Sequence, residues 1–323
     1  MATYLVTGAA GFIASKVCEL LLVDGNVVIG VDNLNDYYDV HLKHWRVGHL
    51  LEKRGYYSYP LDIENKSALD RLFATHQFDA VFNLAARAGV RASLEQPELY
   101  RRTNVEGERN VLECQVKYGV KKHVLASSSS LYAGCAMPFT EDLPIERTQS
   151  PYAETKKAAE QLAREYHGKH GLDVSVLRYF TVFGPAGRPD MAPFRFIKWI
   201  DEGRPITMYG DGSQARDFTY VDDIARGTVL ATMPVGYEVF NLGGGRNPLT
   251  MLRVVQLIEQ ALGKKARINH KPANPADVDA TWAEISKAKR MLGWAPAVSP
   301  EEGFRRTVEW HVANRELVHA IKV

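Results

Sequence analysis

The chain has 323 residues, enough for a large core or two domains, and 46% of them are apolar, which excludes a disordered polymer. Forty Lys and Arg stand against 38 Asp and Glu, a formal charge of +2. That balance is too even for a nucleic-acid or membrane-surface binder, and basic pairs such as Lys121-Lys122 and Arg305-Arg306 read as solvated faces.

Short apolar runs at residues 4–7, 27–31, 56–59, 80–84, 123–127 and 174–178 are predicted as strands. They are apolar throughout rather than alternating, as parallel strands buried on both faces are. Helical patterns over 12–24, 40–53, 66–75, 97–118 and 151–170 separate them. The alternation predicts an α/β fold, a Rossmann-type doubly wound parallel sheet. After residue 178 the texture changes to Gly, Pro and Arg, with a helical patch at 193–201. Residues 218–243, with a helix over 222–232 and an apolar run at 239–242, look like a return to the first domain. Short helices and turns from about 246 suggest a smaller α+β lobe. The expected organisation is residues 1–178, rejoined by 218–243, as a nucleotide-binding domain, and 179–323 mainly as a substrate lobe. Ligands of such folds sit beyond the C-terminal strand ends, here in the cleft between lobes.

The N-terminus enters a strand at once at Thr3-Tyr4-Leu5-Val6, which is expected to leave no room for a signal peptide, and no apolar run is long enough to span a bilayer. Cys18, Cys114 and Cys135 are odd in number and far apart, without disulfide or zinc spacing. His167 and His170 share a helix face but lack a third ligand, so no metal is expected. These features point to a reducing, cytoplasmic setting.

Between the first strand and helix stands Thr7-Gly8-Ala9-Ala10-Gly11-Phe12-Ile13-Ala14. Glycines at such a turn let the backbone approach a pyrophosphate, which the next helix N-terminus then binds. The second strand ends at Asp32, where a carboxylate holds the ribose hydroxyls and repels a 2′-phosphate. Asn33 follows, not an arginine, so NAD is the expected cofactor. Asp62-Ile63, after the third strand, would suit the adenine edge.

The segment Ser150-Pro151-Tyr152-Ala153-Glu154-Thr155-Lys156 opens a helix with a good cap. It sets Tyr152 and Lys156 on one face, four residues apart. A second pair of this spacing, Tyr118 and Lys122, contains Gly119 and leads into an apolar run; it reads as a helix end turning into a strand and carries no function.

With Leu84-Ala85-Ala86, Ala126-Ser127-Ser128-Ser129-Ser130-Leu131-Tyr132 and Arg178-Tyr179-Phe180, these motifs make nearly the whole chain resemble the extended short-chain dehydrogenase/reductases, among them the nucleotide-sugar epimerases and dehydratases. Ala14-Ser15-Lys16 departs from the usual Gly-Ser-His, Asn83 from a common His and Ala133 from a Gly; none removes a catalytic group. The segment from Asn35 to Val40 with Lys43 and Arg46, that from Ala88 to Leu94, and that from Arg178 to Ala192 look like those of the UDP-glucuronate 4-epimerases. Epimerases of neutral UDP-sugars usually carry Asn at Thr181, and dehydratases carry Asp-Glu in the serine run.

The resemblance implies the site. Tyr152, Lys156 and Ser128 would be catalytic, with Ser129 competing for the serine role. NAD would be held by Gly8, Ala10, Gly11, Phe12, Ile13, Asp32, Asn33, Asn35, Lys43, Asp62, Ile63, Leu84, Ala85, Ala86, Asn104, Ser127, Tyr179 and Val182, with Tyr152 and Lys156. A UDP-sugar would meet Gly89, Val90, Arg91, Ser129, Ser130, Thr181, Arg188, Met191 and Phe194. Thr207 and Tyr209 would flank the uracil, Arg216 would bind the diphosphate and Asp277 the nucleotide ribose. A homodimer through the helices near 97–118 and 151–170 is expected on the same ground. The implied activity is 4-epimerisation of a UDP-hexuronic acid. Its rivals are epimerisation of another nucleotide sugar, decarboxylation to a pentose, and a non-catalytic NAD-sensing role.

The chemistry explains the residue types. A free phenol, pKa about 10, is a poor base at pH 7; bringing it near 7 takes about 4 kcal/mol, which Lys156 and a cationic nicotinamide are expected to supply. A ketone at C4 of a uronate lies β to the carboxylate and loses carbon dioxide unless the carboxylate is gripped. Thr181 and the planar fork of Arg188 are the expected grip.

Overall fold

The computed structural model describes residues 1–246, 248–273 and 278–323. Strands β1 (Thr3–Thr7), β2 (Val27–Asp32), β3 (Tyr56–Pro60), β4 (Ala80–Asn83), β5 (Lys122–Ser128) and β6 (Asp173–Tyr179) join the strand Tyr237–Leu242 in one seven-stranded sheet. Their order across the sheet is β3-β2-β1-β4-β5-β6 and then Tyr237–Leu242, with every pair parallel. The order reverses at β1, which pairs with both β2 and β4. At such a reversal the loops after adjacent strands part and leave a crevice for a ligand.

Burial explains the strands. All seven residues of β5 are buried, as its central place demands. At the edge, β3 buries Tyr56 but exposes Tyr57, Ser58 and Pro60, so it is not apolar on both faces as the inner strands are. Proline is tolerated there because an edge strand need not donate on both sides.

Helices α1 (Phe12–Val23), α2 (Val40–Leu51) and α3 (Lys66–Thr75) form where periodicity places them. The region 97–118 is not one helix. It divides into Pro97–Arg101, a π-helical turn Arg102–Glu106 and Gly107–Tyr118, preceded by an unanticipated short helix Val90–Glu95. Helix Pro151–His170 starts with the Ser150 side chain accepting from the Ala153 amide and stops at Gly171, whose φ of +65° is left-handed.

A second core lies beyond the sheet. Phe183, Phe196, Ile197, Phe218 and Phe304 gather there, with Phe183 stacked on Phe304 at 4.3 Å between ring centres. The region after residue 246 is not built of short helices alone, since Met251–Leu262 and Pro300–Ala313 run to 12 and 14 residues.

One buried side chain ties loops of both regions together. Arg46 of α2 is 3% exposed. Its guanidinium donates to the carbonyls of Ala10, at 2.9 Å, and Ala186, at 2.6 Å, and to the Tyr38 hydroxyl at 2.7 Å.

Candidate active site

Gly8 ends β1 with φ +69°. A Cβ there would stand 2.9 Å from the backbone of Ala85 in the loop after β4, so only glycine lets the two loops meet. The Gly11 amide closes the turn on the Gly8 carbonyl at 2.7 Å. No side chain caps α1, whose first residues are Phe12 and Ile13. An uncapped helix start behind a glycine turn is a place for an anion. Asp32 accepts from the amides of Ala10 (3.1 Å) and Leu34 (2.8 Å), which fixes its carboxylate beside the turn. The Lys43 ammonium donates to the Asn35 carbonyl (2.8 Å) and lies 3.9 Å from Asp32. Burial pulls its pKa down, and the Asp32 charge opposes that. Asn33 donates to Asp62 at 2.7 Å. These residues fit NAD: a turn open to a pyrophosphate, a helix start facing it and a carboxylate for ribose hydroxyls.

Other residues expected at the cofactor are bonded within the chain. Asn104 is 4% exposed, and the π-helical turn presents its amide to two neighbours. The amide accepts from the Arg87 amide (2.8 Å) and donates to the Arg87 carbonyl (3.0 Å) and the Thr155 hydroxyl (3.0 Å). It joins the loop after β4 to the helix bearing Tyr152. The Ser127 hydroxyl donates to Glu160 at 2.5 Å, and the Tyr179 hydroxyl pairs with Thr228 at 2.9 Å. The Ile63 side chain packs under Gly107. The Ala85 amide donates to the Thr7 hydroxyl, and Leu84 and Ala86 flank it.

Beyond β5, Ser128 caps the short 3₁₀ turn Ser129–Tyr132 by accepting from the Ser130 amide. Its hydroxyl also hydrogen-bonds the Tyr152 phenol. Tyr152 is 8% exposed. Burial raises its pKa, while the Ser128 hydrogen bond and the Arg188 charge pull it back. The Lys156 ammonium donates to the Ala126 carbonyl at 2.7 Å. Burial pushes its pKa down to about 8 against the pull of the Glu108 and Glu160 carboxylates. In the protein alone, then, Ser128 and Arg188 favour the phenolate. The other pair behaves differently: Lys122 is held by Asp173, Ser175 and the Met233 carbonyl, and Tyr118 stacks on Phe73.

Phe12, Val182, Arg188, Met191 and Phe194 line one cavity between the two regions. Thr181 begins the strand Thr181–Phe183 above it. The Arg188 fork is closed on Asp190, Nε to Oδ1 at 3.1 Å and Nη2 to Oδ2 at 2.6 Å. The Arg91 guanidinium lies 4.7 Å from the centre of the Tyr209 ring, so two residues far apart in the chain meet. Thr207 and Tyr209 share the strand Ile206–Tyr209. Arg216 donates to the Ala215 carbonyl at 2.8 Å. Gly89, φ +107°, caps the helix that begins at Val90. Asp277 lies outside the described residues.

Tyr37 and Tyr100 complete the surroundings without having been singled out. Tyr100 is 1% exposed and meets Tyr152 edge-on at 6.2 Å between ring centres. Tyr37 receives the Arg188 guanidinium over its ring at 5.5 Å, and its hydroxyl lies 2.5 Å from where a Cβ on Gly89 would be. Tyr37 belongs to the Tyr-rich stretch before α2, while Tyr100 carries no comparable signal. Among the described residues, no group of three or more His, Cys, Asp or Glu could hold a metal, and no helix is long and apolar enough to cross a membrane.

Comparison with known proteins adds to this geometry. The chain is 55% identical to UDP-glucuronate 4-epimerase of Thermodesulfobacterium geofontis over the whole of both chains. The crystal structure of UDP-glucuronic acid 4-epimerase from Bacillus cereus, in complex with UDP-glucuronic acid and NAD, superposes with TM-score 0.89 at 36% identity, covering 96% of this chain and 99% of that one. UDP-glucose 4-epimerase from Thermotoga maritima superposes with TM-score 0.88 at 33% identity, covering 97% and 99%. Residues 4–243 match the model of the NAD dependent epimerase/dehydratase family, and the chain belongs to that family.

Proposed function

We propose that this protein is an NAD-dependent epimerase that interconverts UDP-glucuronate and UDP-galacturonate at C4 through a 4-keto intermediate. The observation that carries the reading is the meeting of Tyr152, Ser128 and Arg188: a buried phenol hydrogen-bonded to a serine and under the charge of one guanidinium. Among the neighbours that support it are an epimerase of UDP-glucuronate and one of UDP-glucose. A cation beside the reacting carbon favours the acidic sugar of the two.

The residues have distinct tasks. Gly8, Gly11 and the start of α1 would hold the pyrophosphate of NAD, and Asp32 its adenosine ribose. NAD held there would supply the acceptor for a hydride from C4 and, once reduced, its donor. Tyr152 would take the proton of the 4-hydroxyl and later give it back, with Ser128 holding the same oxygen. Lys156, anchored on Ala126, would keep its charge near the phenol and hold the nicotinamide ribose. Arg188 and Thr181 would grip the carboxylate so that its bond to C5 stays out of line with the ketone π system and carbon dioxide is retained. Arg91, Tyr209, Thr207 and Arg216 would take the uridine diphosphate.

We further place it in the cytoplasm as a homodimer packed through Gly107–Tyr118 and Pro151–His170, a reading supported by family resemblance and by three free cysteines. The test of activity is incubation with NAD and UDP-glucuronate, with products resolved by NMR. UDP-galacturonate without carbon dioxide is the expected result. Steady release of carbon dioxide, or untouched substrate, overturns it.

A further inference from the structure

The Arg188 fork, the group best suited to a sugar carboxylate, is already bidentate on a carboxylate of its own chain. Asp190 is two residues away, so the pair forms within one loop and needs no movement of either region. Both side chains reach solvent, Arg188 at 21% and Asp190 at 29% exposed, so exchanging one carboxylate for another exposes no dry core. Around the guanidinium stand the Tyr37 ring at 5.5 Å and the hydrophobic wall of Phe12, Val182, Met191 and Phe194. Burial works against the Arg188 charge, but Asp190 outweighs it and holds the group above its ordinary range.

Resting on the function proposed above, the requirement is specific. A 4-keto uronate must be gripped tightly enough to keep carbon dioxide, yet it must let go to present its other face. A cation held by nothing else would bind the carboxylate through both phases. We propose that Asp190 is the exchange partner of Arg188: its carboxylate takes the fork whenever the sugar carboxylate leaves, which lowers the cost of release and limits the grip on acidic substrate. Asp190 touches neither sugar nor cofactor in this role. It is a positioning residue that tunes specificity through Arg188. A neutral UDP-hexose offers no carboxylate, leaves the pair closed and owes nothing to Asp190.

The test compares wild type with Asp190→Asn and Asp190→Glu, reading KM and kcat for UDP-glucuronate and the inhibition constant of UDP-glucose. Removing the competing charge is expected to lower KM about fivefold and kcat by a similar factor, the scale of a partly exposed ion pair. Inhibition by UDP-glucose should not move, and Asp190→Glu should restore both constants. Unchanged KM and kcat in Asp190→Asn overturn the proposal. So does a rise in KM together with weaker UDP-glucose binding and a lower melting temperature, which would make Asp190 a strut of the loop. If wild type converts UDP-glucuronate while the variants behave in either of those ways, only the exchange role falls. If wild type leaves UDP-glucuronate unchanged, the functional reading falls with it.

Discussion

Tyr152 and Lys156 share a helix face, yet their environments set different problems. Burial raises the phenol pKa and lowers that of the ammonium, so each group is pushed toward its neutral form. The working state needs the opposite charges. For Lys156 the consequence can be measured, because its pKa falls to about 8. Above that pH the ammonium is lost, so turnover should decline along an alkaline limb centred near pH 8, read from kcat against pH. The unfolded chain keeps this proton up to the ordinary lysine pKa of about 10.4. Between the two values the unfolded state binds more protons, so the Lys156 contribution to stability rises with pH. The stability gap between Lys156→Met and wild type in denaturant melts should therefore change in favour of wild type from pH 7 to pH 10. An alkaline limb absent up to pH 10 would contradict this. Tyr152, Lys156 and the glycine turn were legible because they are local patterns. Asp190 was in view as part of a motif, but nothing in the sequence says that its carboxylate meets Arg188 rather than water. Tyr100 meets Tyr152 from the helix Pro97–Arg101 and Tyr37 meets Arg188 from the loop before α2, and no local spacing reports such meetings.

Among the elements, strands buried on both faces announce themselves as apolar runs, and helix Pro151–His170 is bounded by its cap and its left-handed glycine. The π-helical turn at Arg102–Glu106 was not legible. Its helical periodicity hardly differs from that of its neighbours, and what distinguishes it is the demand that Asn104 reach both Arg87 and Thr155. Two helices of the C-terminal region were underestimated because glycine and proline punctuate their flanks and draw the eye to turns. At the first turn, Gly8→Ala is expected to destabilise the fold by about 1–3 kcal/mol, from a left-handed φ and a Cβ against rigid backbone. The affinity for NAD should fall with it. Denaturant unfolding and a fluorescence titration with NADH read the two effects. Wild-type stability and affinity in the variant would mean that the Gly8–Ala85 approach is loose.

At the scale of the whole molecule, the sheet and the Phe183–Phe304 core are separate hydrophobic clusters, which the change of texture after residue 178 hints at without locating. The strand Tyr237–Leu242 joins the sheet beside β6, so the chain crosses between the clusters more than once. The proposed homodimer makes its own prediction. Sedimentation equilibrium should give twice the mass of one chain, and Gln161→Lys together with Glu165→Lys on the exposed face of Pro151–His170 should shift it toward monomer. A single-chain mass in the wild type would remove that interface. The two halves of the site are tied together within one chain. Arg46 holds Ala10 beside the glycine turn and Ala186 beside Arg188 with one rigid plane of nitrogen atoms. A shift of either carbonyl is therefore expected to reach the other through the one guanidinium. Whatever filling one loop does to the affinity of the other is then returned in equal measure.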